Sequence, residues 1–360
     1  MHIPDGYLSP ATCAALYAGA APFWYLSLQR IKRMLHTRMV PMLSLFAAFS
    51  FVVMMFNLPL PGGTTGHAVG VGIASIVIGP WAAMLAISMA LLIQAFFFGD
   101  GGIMALGANC FNIAVVGSLV ASLVYRVIGG RSSLGSRRRL IAAALSGYIA
   151  INISALLTAI EFGIQPILYR DAAGTPLYAP YPLGIAIPAM MIGHLTFAGI
   201  AEAIVSAGVV SYLQRSDLSL LKLTAPDAAA SENGVDLIVP VNGWRSTRSL
   251  WIGLAALMIM TPLGLLATGA AWGEWGPQDF NNPEIRDQIT RSSLNHAAPE
   301  TAPSGMQRLA TVWTAPMPDY APPFLRSETF GYIMSAMFGV GLIILSFLLI
   351  GRLMQRRQGT

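Results

Sequence analysis

The residues best suited to chemistry stand at the start of the chain. The sequence opens MHIPDGYLSP and runs straight into an apolar stretch. Methionine aminopeptidase removes an initiator only ahead of a small residue, so the large His2 should leave Met1 in place with a free α-amine. That amine, the amide nitrogen of His2 and the Nδ1 of His2 can close one five-membered and one six-membered ring around a single cation. The set is planar and tridentate, with one equatorial position open. A planar, nitrogen-rich site suits Ni(II) or Cu(II) better than Mg(II) or Ca(II). His67, in PGGTTGHAVG, is the expected fourth donor. The glycines around it let backbone approach closely. Its other ring nitrogen needs a partner to fix the tautomer, and Asp5 or a loop carbonyl can supply one. Alone, His2 reads as a surface residue and His67 as a capping or loop residue. Two histidines in short loops on one face of a membrane are what point to a metal. His36 lies among basic residues and His296 in a long loop, neither with ligand spacing.

The elements that must position these residues are membrane helices. The 360 residues are 55% hydrophobic and only 10% charged, where soluble domains carry roughly 25% charged residues. A helix needs about 20 apolar residues to cross the hydrocarbon. Nine segments qualify: 11–29, 39–58, 67–79, 81–99, 103–125, 140–163, 183–213, 249–271 and 330–351. The expected fold is therefore an all-α polytopic membrane protein, with seven helices and then two. The third segment is short, divided from the fourth only by Gly79 and Pro80. Charge bias argues that it crosses. With the N-terminus outside, 16 of the 21 basic residues fall in inside loops, including Arg137, Arg138 and Arg139. Merging the third and fourth segments would put that cluster outside, against the positive-inside rule. Water or protein would then have to cover the ends of the short segment. A secretory leader begins with basic residues; here polar HIPDGY comes first and Arg30, Lys32 and Arg33 last, as in an uncleaved helix.

Residues 1–214 read as a metal-binding membrane unit, 215–248 as a polar cytoplasmic linker, and 249–360 as a two-helix module around a long outside loop, about 272–329. Cys13 and Cys110 sit in apolar segments and read as small buried residues. The net charge of +5 needs no nucleic acid to explain it.

Five stretches carry a resemblance. MHIPDGYLSP, GGTTGHAVG, GPWAAMLAISMALLIQAFFFGDGG, ALGANCFNIAVVG and PAMMIGHLTFAGIAEAIVS, over residues 1–214, together resemble the CbiM/NikM family. Its members are the substrate-binding membrane components of energy-coupling-factor importers for cobalt and nickel. The resemblance implies that Met1, His2 and His67 ligate the transported metal, and that no further cofactor is used. It implies ATP-binding-cassette ATPase subunits and a membrane coupling subunit as partners, and a bacterial inner membrane with the N-terminus outside and the C-terminus cytoplasmic. The last two helices, with APMPDYAPPFL before the final one, look like the CbiN/NikN auxiliary subunit or a PDGLE-type region. That fusion favours nickel over the alternative, cobalt for cobalamin synthesis.

Other groups read as structural. Asn109 and Asn112 share a helix face and Gln94 lies on the preceding helix; interhelical hydrogen bonding is expected of them. His194 and Glu202 read as structural or coupling residues, and Glu161 lies near the outer end of its helix. The eighteen methionines read as packing. The acidic outer loop, Glu274 and Asp279 among its residues, reads as a solvated surface or a weak cation attractor. No G-x-x-x-x-G-K-[ST] phosphate loop or H-E-x-x-H pair occurs, so an enzyme is not expected. The alternative from a different class is a membrane metal sensor without transport.

Overall fold

The computed structural model describes residues 1–32, 39–222, 224–225, 228 and 243–356. Most of the expected linker, together with His36, lies outside the described residues. Helix α1 is Pro10–Lys32 and α2 Met39–Met54. A hairpin of β1 (Leu58–Leu60) and β2 (Thr64–Gly66) leads into α3, Val71–Val77. Then come α4 (Pro80–Phe98), α5 (Leu106–Gly129), α6 (Arg137–Leu168) and α7 (Leu183–Ser216). Past the turn α8 (Ser219–Lys222) lie α9 (Gly243–Met260), the small surface helices α10 (Pro283–Ser292) and α11 (Ser304–Leu309), and α12 (Glu328–Arg356). Each of the nine segments read from the sequence is helical, and the fold is all-α apart from the hairpin. Among the described residues six helices are long and apolar enough to cross a membrane, and Met39–Met54 is a shorter apolar one.

The third segment is where structure and pattern part. Its helix spans seven residues, about 10 Å of rise against a hydrocarbon core of about 30 Å. Irregular backbone at such depth survives only where protein covers it and its polar groups are paired. Both conditions are met. Every residue of α3 is buried. Glu202 of α7 accepts from the backbone N–H groups of Val69, at 2.7 Å, Gly70, at 2.8 Å, and Gly72, at 3.1 Å. A carboxylate at a helix N-terminus also meets the positive end of its dipole. At the other end Thr224 donates to the Ile76 carbonyl. Gly79 then turns the chain at φ 81°, and Pro80 starts α4 at a position where its missing N–H costs nothing. The run 67–79 thus joins His67 to the end of the bundle where Arg30, Arg126, Arg131 and Arg139 line one cleft with Gly79.

Small residues let α3 sit so deep. A Cβ on Gly72 would come 2.3 Å from Ser206 Oγ and 2.7 Å from Gly147 Cα, so α3, α6 and α7 cross almost backbone to backbone. The expected interhelical hydrogen bonds are present. Asn112 Nδ2 donates to Thr158 Oγ1 and to Glu161 Oε2, at 3.2 and 2.8 Å. Both cysteines are free and buried.

Candidate metal centre

The first nine residues are threaded into the protein and clamped there. Asn109 holds Ile3 in both directions, its Oδ1 accepting from the Ile3 N–H at 2.8 Å and its Nδ2 donating to the Ile3 carbonyl at 3.1 Å. The Gly102 N–H donates to the same carbonyl at 2.8 Å. The Asp5 carboxylate accepts from the N–H groups of Ile103, Met104 and Ala105 at the start of α5. A Cβ on Gly102 would come 2.1 Å from Asp5 Oδ1, so only glycine leaves room for this chain segment. Asp5 therefore fixes the entering strand, and is not the partner of His67. Burial raises its carboxyl above the usual range, against the lowering effect of those three N–H groups.

The clamp delivers His2 to His67. The two imidazole centroids are 5.0 Å apart, with the rings inclined by 35°. Metal–nitrogen bonds are about 2 Å long, so both rings can reach one cation. His67 precedes α3 and is buried. Its Nδ1 lies 3.0 Å from the Ala68 carbonyl, which can only accept, so Nδ1 carries the proton and Nε2 the lone pair. The loop carbonyl, one of the two partners open in the sequence, fills that role.

Three nitrogens were expected to form the chelate, and each faces a carboxylate oxygen. The Met1 amine donates to Glu274 Oε1 at 2.5 Å, and the His2 amide donates to the same oxygen at 2.8 Å. His2 Nδ1 lies 2.5 Å from Asp100 Oδ1. The buried His2 Nε2 has no hydrogen-bond partner among the described residues. Asp100 is held in turn by Tyr320 Oη, at 2.6 Å, and Gln94 Nε2, at 3.1 Å, on its other oxygen.

Among the described residues no group of three His, Cys, Asp or Glu side chains is placed to hold a metal. In the structure Met1, His2 and His67 are 3%, 1% and 6% exposed. The cover comes from residues 269–320. The Thr65 N–H donates to the Ala270 carbonyl at 3.2 Å, and Tyr7 Oη donates to the Trp275 carbonyl at 3.0 Å. Trp272 packs near Phe162, Tyr181 and Trp275.

The remaining candidates separate cleanly. His194 lines a small cavity with Met1 and Trp272, but its Nδ1 is turned to the Met190 carbonyl of its own helix. Glu202 is bound up with the start of α3. Gln94, expected to bridge helices, reaches Asp100 and Tyr320 instead. Asp100, Tyr320 and the contact of Glu274 with the amino terminus are not foreseen by the sequence reading. Two local signals pointed that way: a lone carboxylate in FFFGDGG at a helix end, and a lone carboxylate between tryptophans in WGEW.

The chain has well-matched relatives among known proteins. The family model for the cobalt uptake substrate-specific transmembrane region, CbiM, matches residues 2–220, and the PDGLE domain matches 246–356. The fused nickel transport protein NikMN of Rhodobacter capsulatus is 54% identical over 96% of this chain and 95% of its own length. The probable fused nickel transport protein LarMN of Lactiplantibacillus plantarum is 39% identical over 100% of this chain and 99% of its own. The cobalt transport protein CbiM of Geobacter sulfurreducens is 31% identical over 76% of this chain and 74% of its own. A crystal structure of a truncated transition metal transporter, 48% identical, superposes with a TM-score of 0.56 over 59% of this chain and 98% of that one. With a family match over more than half its length and relatives alike from end to end, this chain belongs to the CbiM/NikM family, as a multi-pass membrane protein of metal transport, fused to a PDGLE domain, and not an enzyme.

Proposed function

We propose that the protein is the substrate-capture component of an ATP-driven energy-coupling-factor importer, with Ni(II) as its preferred cargo. Its metal ligands are the Met1 amine, the amide nitrogen and Nδ1 of His2, and Nε2 of His67. The observation that carries this reading is the meeting of His2 and His67 at 5.0 Å beside the buried amino terminus. The nickel preference is supported by the planar nitrogen donor set and by the two full-length relatives named as nickel transport proteins. Cobalt is the second reading, because the family description and the Geobacter relative both name cobalt.

Capture is an exchange. The ammonium of Met1 loses one proton and the His2 amide another, while the His2 ring moves its proton from Nδ1 to Nε2. One divalent cation enters as two protons leave, so the charge facing Asp100 and Glu274 is unchanged. Residues 1–214 form the metal-binding unit, 215–248 the cytoplasmic linker and 249–360 the auxiliary module. The amino terminus faces outward across the inner membrane and the carboxyl terminus inward. A coupling subunit and ATPase subunits supply the work of release.

Competition uptake with radiolabelled nickel and cobalt tests the cargo. Nickel should be taken up in the presence of equal cobalt, and preferential uptake of cobalt would reverse the assignment. Co-purification with an ATPase pair tests the partners; uptake that persists without any ATPase would remove them. Isothermal titration at pH 6.5 in buffers of different ionisation enthalpy should show close to two protons released per Ni(II). Release of none would contradict the amide donor.

A further inference from the structure

We infer that Glu274 is the positioning residue that assembles the chelate: its carboxylate gathers the Met1 amine and the His2 amide to one point and is displaced from it when the metal arrives. The inference rests on the ligand set proposed above and names how the C-terminal segment acts on it.

A single oxygen, Glu274 Oε1, accepts from both nitrogens, at 2.5 and 2.8 Å. Two donors that converge on one atom lie side by side and point the same way. That is the arrangement a five-membered chelate ring demands of the same pair. A free dipeptide must freeze its backbone to reach it, whereas one already held there gives up less freedom on binding.

Glu274 is itself held against the other half of the donor set. Residues 269–271 run beside β2, the strand that leads to His67. The Thr65 N–H donates to the Ala270 carbonyl, Thr65 pairs with Ala271, and Thr65 Oγ1 donates to the Gly269 carbonyl at 3.3 Å. Buried Trp272 and Trp275 flank Glu274. One short segment thus ties the His67 loop and the amino-terminal nitrogens into a single unit. It also faces outward: Glu274 lines a surface cleft with Asp5, Asp279 and Asp319. A cation drawn into that acidic cleft meets Glu274 before the nitrogens behind it. Displacement balances in charge, since one divalent cation takes the place of two protons on the nitrogens that the carboxylate releases.

The test uses the full-length protein with Ni(II) alone, comparing Glu274→Ala, Glu274→Gln and Glu274→Asp with the unsubstituted chain. The readouts are the stopped-flow capture rate and the electronic absorption of the loaded site. Glu274→Ala should slow capture tenfold or more, and Glu274→Asp should restore part of the rate. Glu274→Gln, which keeps an acceptor but no charge, should fall between and stands in should the alanine variant fail to fold. The loaded spectrum should be the same in all four, because the carboxylate has left the donor plane. Capture at the unsubstituted rate by both Glu274→Ala and Glu274→Gln would overturn the inference. So would a changed loaded spectrum, which would make Glu274 a ligand. A chain extended by one glycine before Met1 separates the two claims. If extension abolishes capture while the Glu274 variants behave normally, the ligand set stands and the role of Glu274 falls. If extension leaves capture intact, the ligand set falls and this inference with it.

Discussion

At the scale of single residues, the site is built from one local feature and several distant ones. The proposed chelate is local: Met1 and His2 are neighbours, and three of its four proposed nitrogens follow from covalent structure alone. That is why it can be read from MHIPDGYLSP. His67 is legible because one histidine stands in a glycine-rich loop on the same predicted face. Asp100, Glu274 and Tyr320 are not legible as site residues, because their roles depend on which loops meet, and no spacing in the sequence encodes that. Asp100 contacts His2 Nδ1 without belonging to the expected ligand set. Under the proposed ligand set that nitrogen takes the metal, so the contact breaks on loading, unlike a bond to the ring's other N–H, which typically contributes about 10–100-fold to affinity. Asp100→Asn should therefore change Ni(II) affinity by less than about tenfold, measured by competition with a chelator, and a loss of about 10–100-fold would show that Asp100 orients the loaded ring. His67→Ala removes a ligand outright and should lower affinity by a larger factor than Asp100→Asn in the same assay. Equal affinities for His67→Ala and the unsubstituted protein would remove His67 from the site.

At the scale of elements, apolar length located the nine membrane segments, not the small surface helices α10 and α11, and it overextended the second and third. The second segment was read as 39–58, whereas α2 stops at Met54 and Leu58 begins the hairpin. The third was read as 67–79, whereas α3 covers only Val71–Val77. In both, apolar composition reports depth and not regular helix: the second run ends in a hairpin that pairs its own backbone, and the third begins in a loop whose N–H groups a carboxylate pairs. Glu202 was read as structural or coupling, and its bonds to Val69, Gly70 and Gly72 give it the structural part. An unpaired buried donor costs about 1–3 kcal/mol. Glu202→Ala strands three, so thermal unfolding in detergent should occur well below that of the unsubstituted protein. Metal capture should fall too, because the loop carrying His67 loses its anchor. A variant of unchanged thermal stability would show that α3 is held by its packing at Gly72 and Gly147 alone.

At the scale of the whole molecule, the account requires two faces. One carries the amino terminus, the hairpin and the cover formed by residues 269–320; the other carries Arg30, Arg126, Arg131 and Arg139 around one cleft. The native cysteines are buried, so introduced thiols report with little background. Gly135→Cys, in the basic loop, should react with an impermeant maleimide only from the cytoplasmic side, and Ala173→Cys, between α6 and α7, only from outside. The reverse pattern would invert the orientation. The charge pattern gives an expected sidedness, but not the cover, whose segments pack by aromatic and main-chain contacts that leave no periodic trace. The central claim is the four-nitrogen cage, and X-ray absorption at the nickel edge of the loaded, purified protein tests it most directly. The account predicts a planar first shell of four nitrogens that disappears when one residue is added before Met1. A six-coordinate, oxygen-rich shell, or a spectrum indifferent to that added residue, would contradict it.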